Sequence, residues 1–436
     1  MIGRLLYSGA GQLARAAAMI APRSEGKLWR TLRARRGIRG RFLEWGAHGR
    51  DPSRPLLWMH APSVGEGLQA RPVLQLARQR LPELQLAYTF FSPSAESFAS
   101  GLDVDFVDYL PFDTVGDARS VLDALRPDAI VFSKLDVWPT LVREASRRGV
   151  PLGLVSATLA ATSSRRSGPA AGLLRPAYGR LDRVGAIDVD DAERLVTLGV
   201  RRDAIEVTGD TRYDQVWDRA RRARPDSPLL APLGADRPTL VVGSSWPADE
   251  EVVLGAWTAV LGSVATARII VAPHEPTAAH LKPIEEWAAR AGLGIARLDR
   301  ADPGSDVVLV DRVGVLGELY ALADVAYVGG GFHAAGLHSV LEPAAYGAPV
   351  LFGPRWQGSR DAGLLEQCQG GAPVSDEREL ARQLVLLLGD ATVRADRGAR
   401  ARSMVESGLG AAERSYDLVR SLLESSAGAR RSGAGR

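Results

Sequence analysis

One cysteine, Cys368, is all the thiol this 436-residue chain contains, so no internal disulfide can form. That fits a reducing compartment, or a fold that needs no bridge. Long apolar runs are missing as well. The longest, around Leu13–Pro22, is interrupted by Arg15 and is much shorter than the ~20 residues needed to span a bilayer. It also has no small-residue cleavage site after a clean apolar core, as a signal peptide would. The six histidines include no HExxH arrangement, and nothing supplies a zinc cage. No Walker loop is present, which disfavours kinase or ATPase chemistry. The glycine-rich stretch Gly329–Gly336 lacks the GxGxxG register, and no acidic residue ends a strand about 20 residues later, so a dehydrogenase is not expected. Neither a metal nor an organic cofactor is expected.

What is present is an ordinary soluble composition, 46% hydrophobic and 24% charged, on a chain longer than one core usually serves. Two domains are the expectation. The net charge of +3 is unevenly spread. Residues 1–41 carry Arg4, Arg15, Arg23, Lys27, Arg30, Arg33, Arg35, Arg36, Arg39 and Arg41 against one acid, Glu25. Such a segment suits nucleic acid, anionic lipid or an acidic substrate. No aromatic residues interleave it at base-stacking intervals and no zinc-finger or helix-turn-helix pattern accompanies it, so nucleic acid is not expected. A membrane surface is the favoured partner, each Lys or Arg contributing roughly 1 kcal/mol near an anionic leaflet. The alternative is a solvated basic helix packed on its own domain.

Short β-rich runs alternate with helical stretches throughout, the pattern of parallel α/β layers. The spacing predicts strands near Leu56–His60, Gln85–Phe90, Asp105–Leu110, Ala129–Phe132, Pro151–Val155, Arg183–Ile187 and Ile205–Val207. In the second half it predicts them near Thr239–Val242, Ala267–Val271, Gly294–Ala296, Val307–Val310, Val325–Val328 and Pro349–Phe352. Helices are clearest at Gly67–Arg80, Val115–Leu125 and Thr140–Arg148. Pro225, Pro228, Pro232 and Pro238 resist continuous helix or central strand, which places a boundary there. The expected division is a basic helical segment over 1–50, an N-terminal Rossmann-like acceptor domain over 51–216 and a linker over 217–238. A nucleotide-sugar domain over 239–424 and a disordered tail over 425–436 complete it. Ligands of open parallel sheets sit beyond the carboxyl ends of strands, so a cleft between two such domains is where chemistry is expected.

Four constellations follow strands. In His60–Ala61–Pro62–Ser63–Val64–Gly65–Glu66, Gly65 permits a tight strand-to-helix turn and Glu66 falls near a helix start, where it can accept a proton or merely complement the macrodipole. The run from Gly329, Gly330 and Gly331 through His338, Ser339 and Glu342 reads as an anion site ahead of a helix, although Ser339 and Glu342 also stand at capping-box spacing. His274, after the third such strand, could bond a phosphate or sugar or be a satisfied loop histidine. Ser244 and Ser245 could hold a phosphate or form a turn. Asp188–Val189–Asp190–Asp191 looks like a metal-binding acid-x-acid motif, but its place before a helix favours capping.

Taken together, these segments resemble the 3-deoxy-D-manno-octulosonic acid (Kdo) transferases of lipid A glycosylation. The resemblance rests on Ser63–Leu74, Thr89–Phe98, Tyr109–Thr114, Ser133–Val142, Val207–Val216, Ala272–Pro276 and Gly329–Pro354, in order over roughly residues 56–365. It implies a GT-B fold of two Rossmann-like domains, a CMP-Kdo donor, a lipid A precursor as acceptor and an inverting, metal-independent transfer. It further implies peripheral attachment to the cytoplasmic face of the inner membrane. By the same resemblance Glu66 is the general base, and His274, His338 and Glu342 surround the nucleotide. Ser63, Gly65, Lys134 and Asp136 are carried as substrate contacts, and Ser244, Ser245, Gly329, Gly330, Gly331 and Ser339 as nucleotide contacts. Lys134 either meets a sugar or acceptor anion or pairs with Asp136. The chain departs from the family at Ser339, where Asn is usual, at Asp136, where Glu is usual, and at Ala272–Pro273–His274, where many members have Pro-Arg-His. Two other readings fit the composition: a nucleotide-sugar epimerase or hydrolase on the same fold, and a non-catalytic basic binder of lipid or nucleic acid.

Overall fold

Predominantly apolar runs form strands that are covered on both faces, as in a parallel sheet. All five residues of Leu56–His60 are buried, and so are all six of Gln85–Phe90. The computed structural model describes residues 2–20, 26–224, 226–234 and 237–433. Arg23, Glu25 and Pro225 lie outside the described residues, as do the side chains of Arg4 and Lys27.

The first sheet is built from β1 (Leu56–His60), β2 (Gln85–Phe90), β3 (Phe106–Tyr109), β4 (Ala129–Ser133), β5 (Leu152–Ala157), β6 (Arg183–Ala186) and β7 (Ile205–Val207). Its spatial order is β3-β2-β1-β4-β5-β6-β7, with every pairing parallel. The second contains β8 (Thr239–Ser245), β9 (Arg268–Pro273), β10 (Ile295–Arg297), β11 (Val307–Leu309), β12 (Val325–Val328), β13 (Val350–Phe352) and β14 (Gly371–Pro373). Its order is β10-β11-β9-β8-β12-β13-β14, again all parallel. Both orders reverse direction next to the first strand of their sheet, the doubly wound pattern. Strand β14 has only three residues, Gly-Ala-Pro, and no periodicity predicts it.

Two compact units result, Met1–Asp214 with Leu409–Arg436, and Gln215–Gly408. The expected linker over 217–238 is not a separate element at its start: the helix Thr211–Arg222 runs into it, and the prolines follow that helix. The expected disordered tail is corrected over residues 425–433, while residues 434–436 lie outside the described residues. Residues Ala411–Gly433 form a helix, and it belongs with the first unit rather than the second. The reason is apolar: Leu418, Val419 and Leu422 bury into the core of the first sheet. Gly153 on β5 makes room for them, since a Cβ there would meet the Leu422 side chain.

The basic N-terminus forms helices at Ile2–Ile20, Lys27–Ala34 and Ile38–His48. Much of its charge is engaged by its own unit. Arg35 donates to the carbonyls of Leu110, Thr31 and Phe91 and lies over the Phe91 ring at 4.1 Å; burial lowers its pKa to about 10. Arg41 forms a bidentate pair with Asp108, Arg39 donates to Ser120, and Arg15 pairs with Asp117. Tyr7 donates to Asp113 at 2.8 Å, fastening the first helix. No helix among the described residues is long and apolar enough to cross a membrane.

Candidate active site

In the first unit, the chemistry-bearing residues stand at the carboxyl ends of β1 and β4. The helix after β1 starts at Val64, with Ser63 as its N-cap, so Glu66 lies in its first turn. Ser63 donates its hydroxyl to Glu66 Oε2, and Lys134 Nζ donates to Oε1 at 3.1 Å. The main chain of Lys134 is left-handed, φ +63°, and this turn directs it back towards β1. Ser133 Oγ donates to the Glu66 carbonyl at 3.1 Å, fixing the turn from below. Burial pushes the Glu66 carboxyl up, but Ser63 and Lys134 together outweigh it and hold it below the usual range. Glu66 is therefore a carboxylate held in one orientation, with a cation beside it.

Two details differ from the reading of the sequence. Lys134 pairs with Glu66 and not with Asp136. Gly65 is an ordinary helical position where a Cβ would meet only Ser63 Oγ, at 3.9 Å, whereas a Cβ on Gly67 would meet the Phe98 ring and come within 2.8 Å of Tyr88 Oη. The close approach required at this turn is therefore Gly67's.

Asp136 belongs to a second, adjoining group. Its Oδ2 lies 2.9 Å from His60 Nε2 and accepts from Trp138 Nε1 at 3.0 Å. His60 Nδ1 lies 3.0 Å from Thr89 Oγ1, which accepts from Trp58 Nε1 at 2.9 Å. Burial pushes the Asp136 carboxyl up, and His60, Trp138 and Arg165 more than reverse that, leaving it below its ordinary value. His60 is fully buried, so it acts on its neighbours and does not contact a ligand. Sequence reasoning quoted His60 without assigning it, and it missed Trp138 and Thr89, whose involvement depends on three strands lying side by side.

In the second unit, the ends of β8, β9 and β12 bring Ser244, Ser245, His274, Gly329, Gly330 and Gly331 together. The glycines do not form an open cradle. The Gly329 amide donates to the Gly243 carbonyl at 2.9 Å and the Gly330 amide to Asp249 Oδ2 at 2.8 Å. Asp249 is fully buried and also accepts from Phe332 N, Tyr327 Oη and Trp246 N, at 3.1, 3.1 and 3.0 Å. Glycine is needed for packing: a Cβ on Gly331 would stand 2.5 Å from Gly353 Cα, and Gly330 has φ +95°. Ser245 is likewise engaged, donating to Glu250 Oε1 at 2.7 Å, while His280 Nε2 lies 3.1 Å from the same oxygen. Burial pushes the Glu250 carboxyl up despite both partners. Ser244 holds φ +53° at the strand end.

The imidazoles form a cluster around an indole that sequence reasoning overlooked. Trp246 stacks on His274 at 4.6 Å between centroids and on His333 at 4.3 Å, and His274 lies 4.6 Å from His338. Trp246 Nε1 donates to His338 Nε2 at 3.2 Å. Burial lowers the His338 pKa, and the charge of His274 lowers it further.

The capping box at Ser339 and Glu342 is not formed. The short helix there is Leu341–Tyr346 with Val340 as its N-cap, Ser339 is exposed, and Glu342 instead accepts from Arg219 Nη1 at 2.5 Å. Burial pushes the Glu342 carboxyl up while Arg219 pulls it down, leaving it raised. Arg219 follows no strand, so no motif marks it. The Asp188–Asp191 segment caps its helix: Asp188 accepts from the Asp191 amide and Asp191 from the Leu159 amide. No group of three or more His, Cys, Asp or Glu among the described residues could hold a metal ion.

Residues 33–215 match the family model described as 3-deoxy-D-manno-octulosonic-acid transferase (kdotransferase). The 3-deoxy-D-manno-octulosonic acid transferase of Bordetella pertussis is 30% identical over 415 residues, covering 90% of this chain and 95% of that protein. The chain belongs to the Kdo transferase family. The Haemophilus influenzae transferase is 25% identical, with 84% and 87% of the two chains covered. Among solved structures, the UDP-GlcNAc 2-epimerase of Neisseria meningitidis bound to UDP-GlcNAc aligns with a TM-score of 0.62 at 13% identity, over 85% of this chain and 100% of that one. A glycosyltransferase from Rickettsia africae ESF-5 aligns with a TM-score of 0.58 at 11% identity, covering 85% and 99%. These two show the fold, GT-B with two Rossmann-like units. As a Kdo transferase family member the chain is a glycosyltransferase.

Proposed function

We propose that the protein transfers Kdo from CMP-Kdo to a hydroxyl of a lipid A precursor of the lipid IVA type, with inversion at the anomeric carbon and without a metal ion. The observation that carries the reading is the Glu66 carboxylate, ionised and oriented by Ser63 and Lys134 at the end of β1. In this reaction Glu66 accepts the proton of the acceptor hydroxyl. The hydroxyl oxygen forms the new bond to the anomeric carbon, and the bond from that carbon to the phosphate oxygen breaks. CMP leaves with the electron pair. Lys134 is half-exposed and can meet an anionic group of either substrate while keeping Glu66 ionised.

The departing phosphate falls to the second unit. Because the amides of Gly329 and Gly330 already have acceptors, His274 and His338 are the donors we assign to it, with Glu342 and Ser244 as further contacts to the nucleotide. Preorganised donors of this kind contribute roughly 3–4 kcal/mol each to the barrier, which makes a metal ion unnecessary.

We assign peripheral attachment at the cytoplasmic face of the inner membrane to the first helix. Its Leu13, Met19 and Ile20 are 73%, 71% and 83% exposed, and Leu28 of the next helix is 66% exposed. With several arginines engaged internally, apolar contact carries more of the attachment than charge. Incubation with CMP-Kdo and a lipid A precursor, with products weighed by mass spectrometry, tests the function. A product heavier by one or more Kdo groups supports it. Release of free Kdo or an isomerised sugar nucleotide, with the acceptor unchanged, would refute it.

A further inference from the structure

An indole N–H can only donate a hydrogen bond, so a ring nitrogen that receives one carries no proton. Trp246 Nε1 donates to His338 Nε2 at 3.2 Å, which makes Nε2 the acceptor and places the single proton of the neutral ring on Nδ1. No other group among the described residues hydrogen-bonds that Nδ1. The indole itself is held on several sides. Its backbone N–H donates to Asp249 Oδ2 at 3.0 Å, and both His274 and His333 stack on its ring. His333 is in turn fixed, its Nδ1 accepting the Ala335 amide at 3.1 Å. The main chain of His338 donates to the Gly329 carbonyl at 3.1 Å, so the imidazole is anchored to the end of β12 as well.

We propose that Trp246 is a positioning residue for the donor substrate: it holds His338 as the Nδ1–H tautomer, so that this N–H is presented to the phosphate of the bound cytidine nucleotide. This inference rests on the reading of the second unit as the CMP-Kdo site. Stacking alone would leave His338 free to take its ordinary Nε2–H form, with the proton directed at the indole and a lone pair directed at the phosphate. A lone pair facing an anion repels it, while an N–H donates to it. The choice of tautomer therefore decides the sign of the contact, and the indole N–H makes the choice.

The test uses the full chain with nitrogen-15-labelled histidine, read by long-range imidazole NMR without nucleotide and assigned with His338→Gln. Trp246→Phe keeps a ring for the stack and removes the N–H. In the unsubstituted protein, His338 should show an unprotonated Nε2, and in Trp246→Phe it should move towards the Nε2–H form. Calorimetry should show CMP binding weakened about tenfold, the loss of roughly one charge-assisted hydrogen bond, with cytidine binding unchanged. In the His338→Gln background, where the amide N–H donates with no tautomer to choose, adding Trp246→Phe should cost CMP nothing more. A wild-type His338 protonated on Nε2 would overturn the proposal. So would equal weakening of CMP and cytidine, or additive losses in the double variant, since both mean that Trp246 only shapes the pocket. Absence of CMP binding to the unsubstituted protein would sink the donor-site reading itself, which is a different outcome from normal CMP binding that Trp246→Phe leaves unaltered.

Discussion

Lys134 reaches Glu66 from a left-handed backbone position, φ +63°, and places its ammonium 3.1 Å from Oε1 of the carboxylate. The pair joins the ends of two neighbouring strands, β1 and β4, and Ser63 completes the set from the same turn as Glu66. A carboxylate bonded in this way has one orientation and stays charged, which suits a base that must meet a hydroxyl.

Glu66→Gln removes the proposed base while keeping the shape of the side chain. CMP binding should stay within twofold, whereas kcat should fall by ~10²–10⁴, the usual contribution of general base catalysis. Calorimetry with CMP and a steady-state transfer assay check the two halves, and full turnover would remove the assignment.

Lys134→Met should change the pH profile in a definite direction. Lys134 and Ser63 hold Glu66 below the ordinary carboxylate range against the upward push of burial. Without the ammonium, burial gains weight and the Glu66 pKa rises. The acid limb of kcat/KM should therefore move to higher pH, with activity lost sooner as pH falls. An acid limb that stays in place would mean that another group controls it.

Asp249→Ala deletes the acceptor shared by Trp246 N, Gly330 N, Phe332 N and Tyr327 Oη. Buried donors left without partners cost ~1–3 kcal/mol each, so the loss of stability should be about 3 kcal/mol or more. Urea denaturation measures it. A change below about 1 kcal/mol would show that the loop does not depend on this carboxylate.

Gly65→Ala and Gly67→Ala, two residues apart, should act oppositely. Gly65 is helical and a Cβ there would meet only Ser63 Oγ, at an ordinary contact distance of 3.9 Å, so alanine should stabilise by roughly 0.5–1 kcal/mol. Gly67 abuts the Phe98 ring and Tyr88 Oη, so alanine there forces a shift and should destabilise by ~1–3 kcal/mol. Thermal denaturation of the two variants compares them directly.

Ile20→Asp and Leu13→Asp should reduce partition onto vesicles of anionic and zwitterionic lipid more than raising salt does. Sedimentation with vesicles at low and high salt is the measurement. Complete release by salt alone would return the attachment to the arginines, because screening acts on exposed charge and leaves apolar burial in place.

Much was legible along the chain because it is a local matter. The period of apolar residues marked thirteen of the fourteen strands with ends within three residues, and β14, with three residues and no pattern, was the one that escaped. Glu66, His274 and His338 could be picked out because each follows a strand, and in parallel sheets that is where ligands are met, whereas Lys134 and Asp136 came from the family resemblance. Pairing was another matter. That Lys134 bonds Glu66 and Asp136 bonds His60 depends on β1 and β4 being neighbours, which sequence order does not state.

Side-chain type and spacing thus determined the elements, the fold class and the residues at strand ends, since backbone periodicity and turn chemistry act over a few residues. Only the folded chain decided which groups are occupied: the glycine amides bonded to Gly243 and Asp249, Glu342 held by Arg219, and the helix Ala411–Gly433 returned to the first unit. Those outcomes join residues from about 80 to more than 200 positions apart, and a hydrogen bond forms only where packing has already brought donor and acceptor within reach.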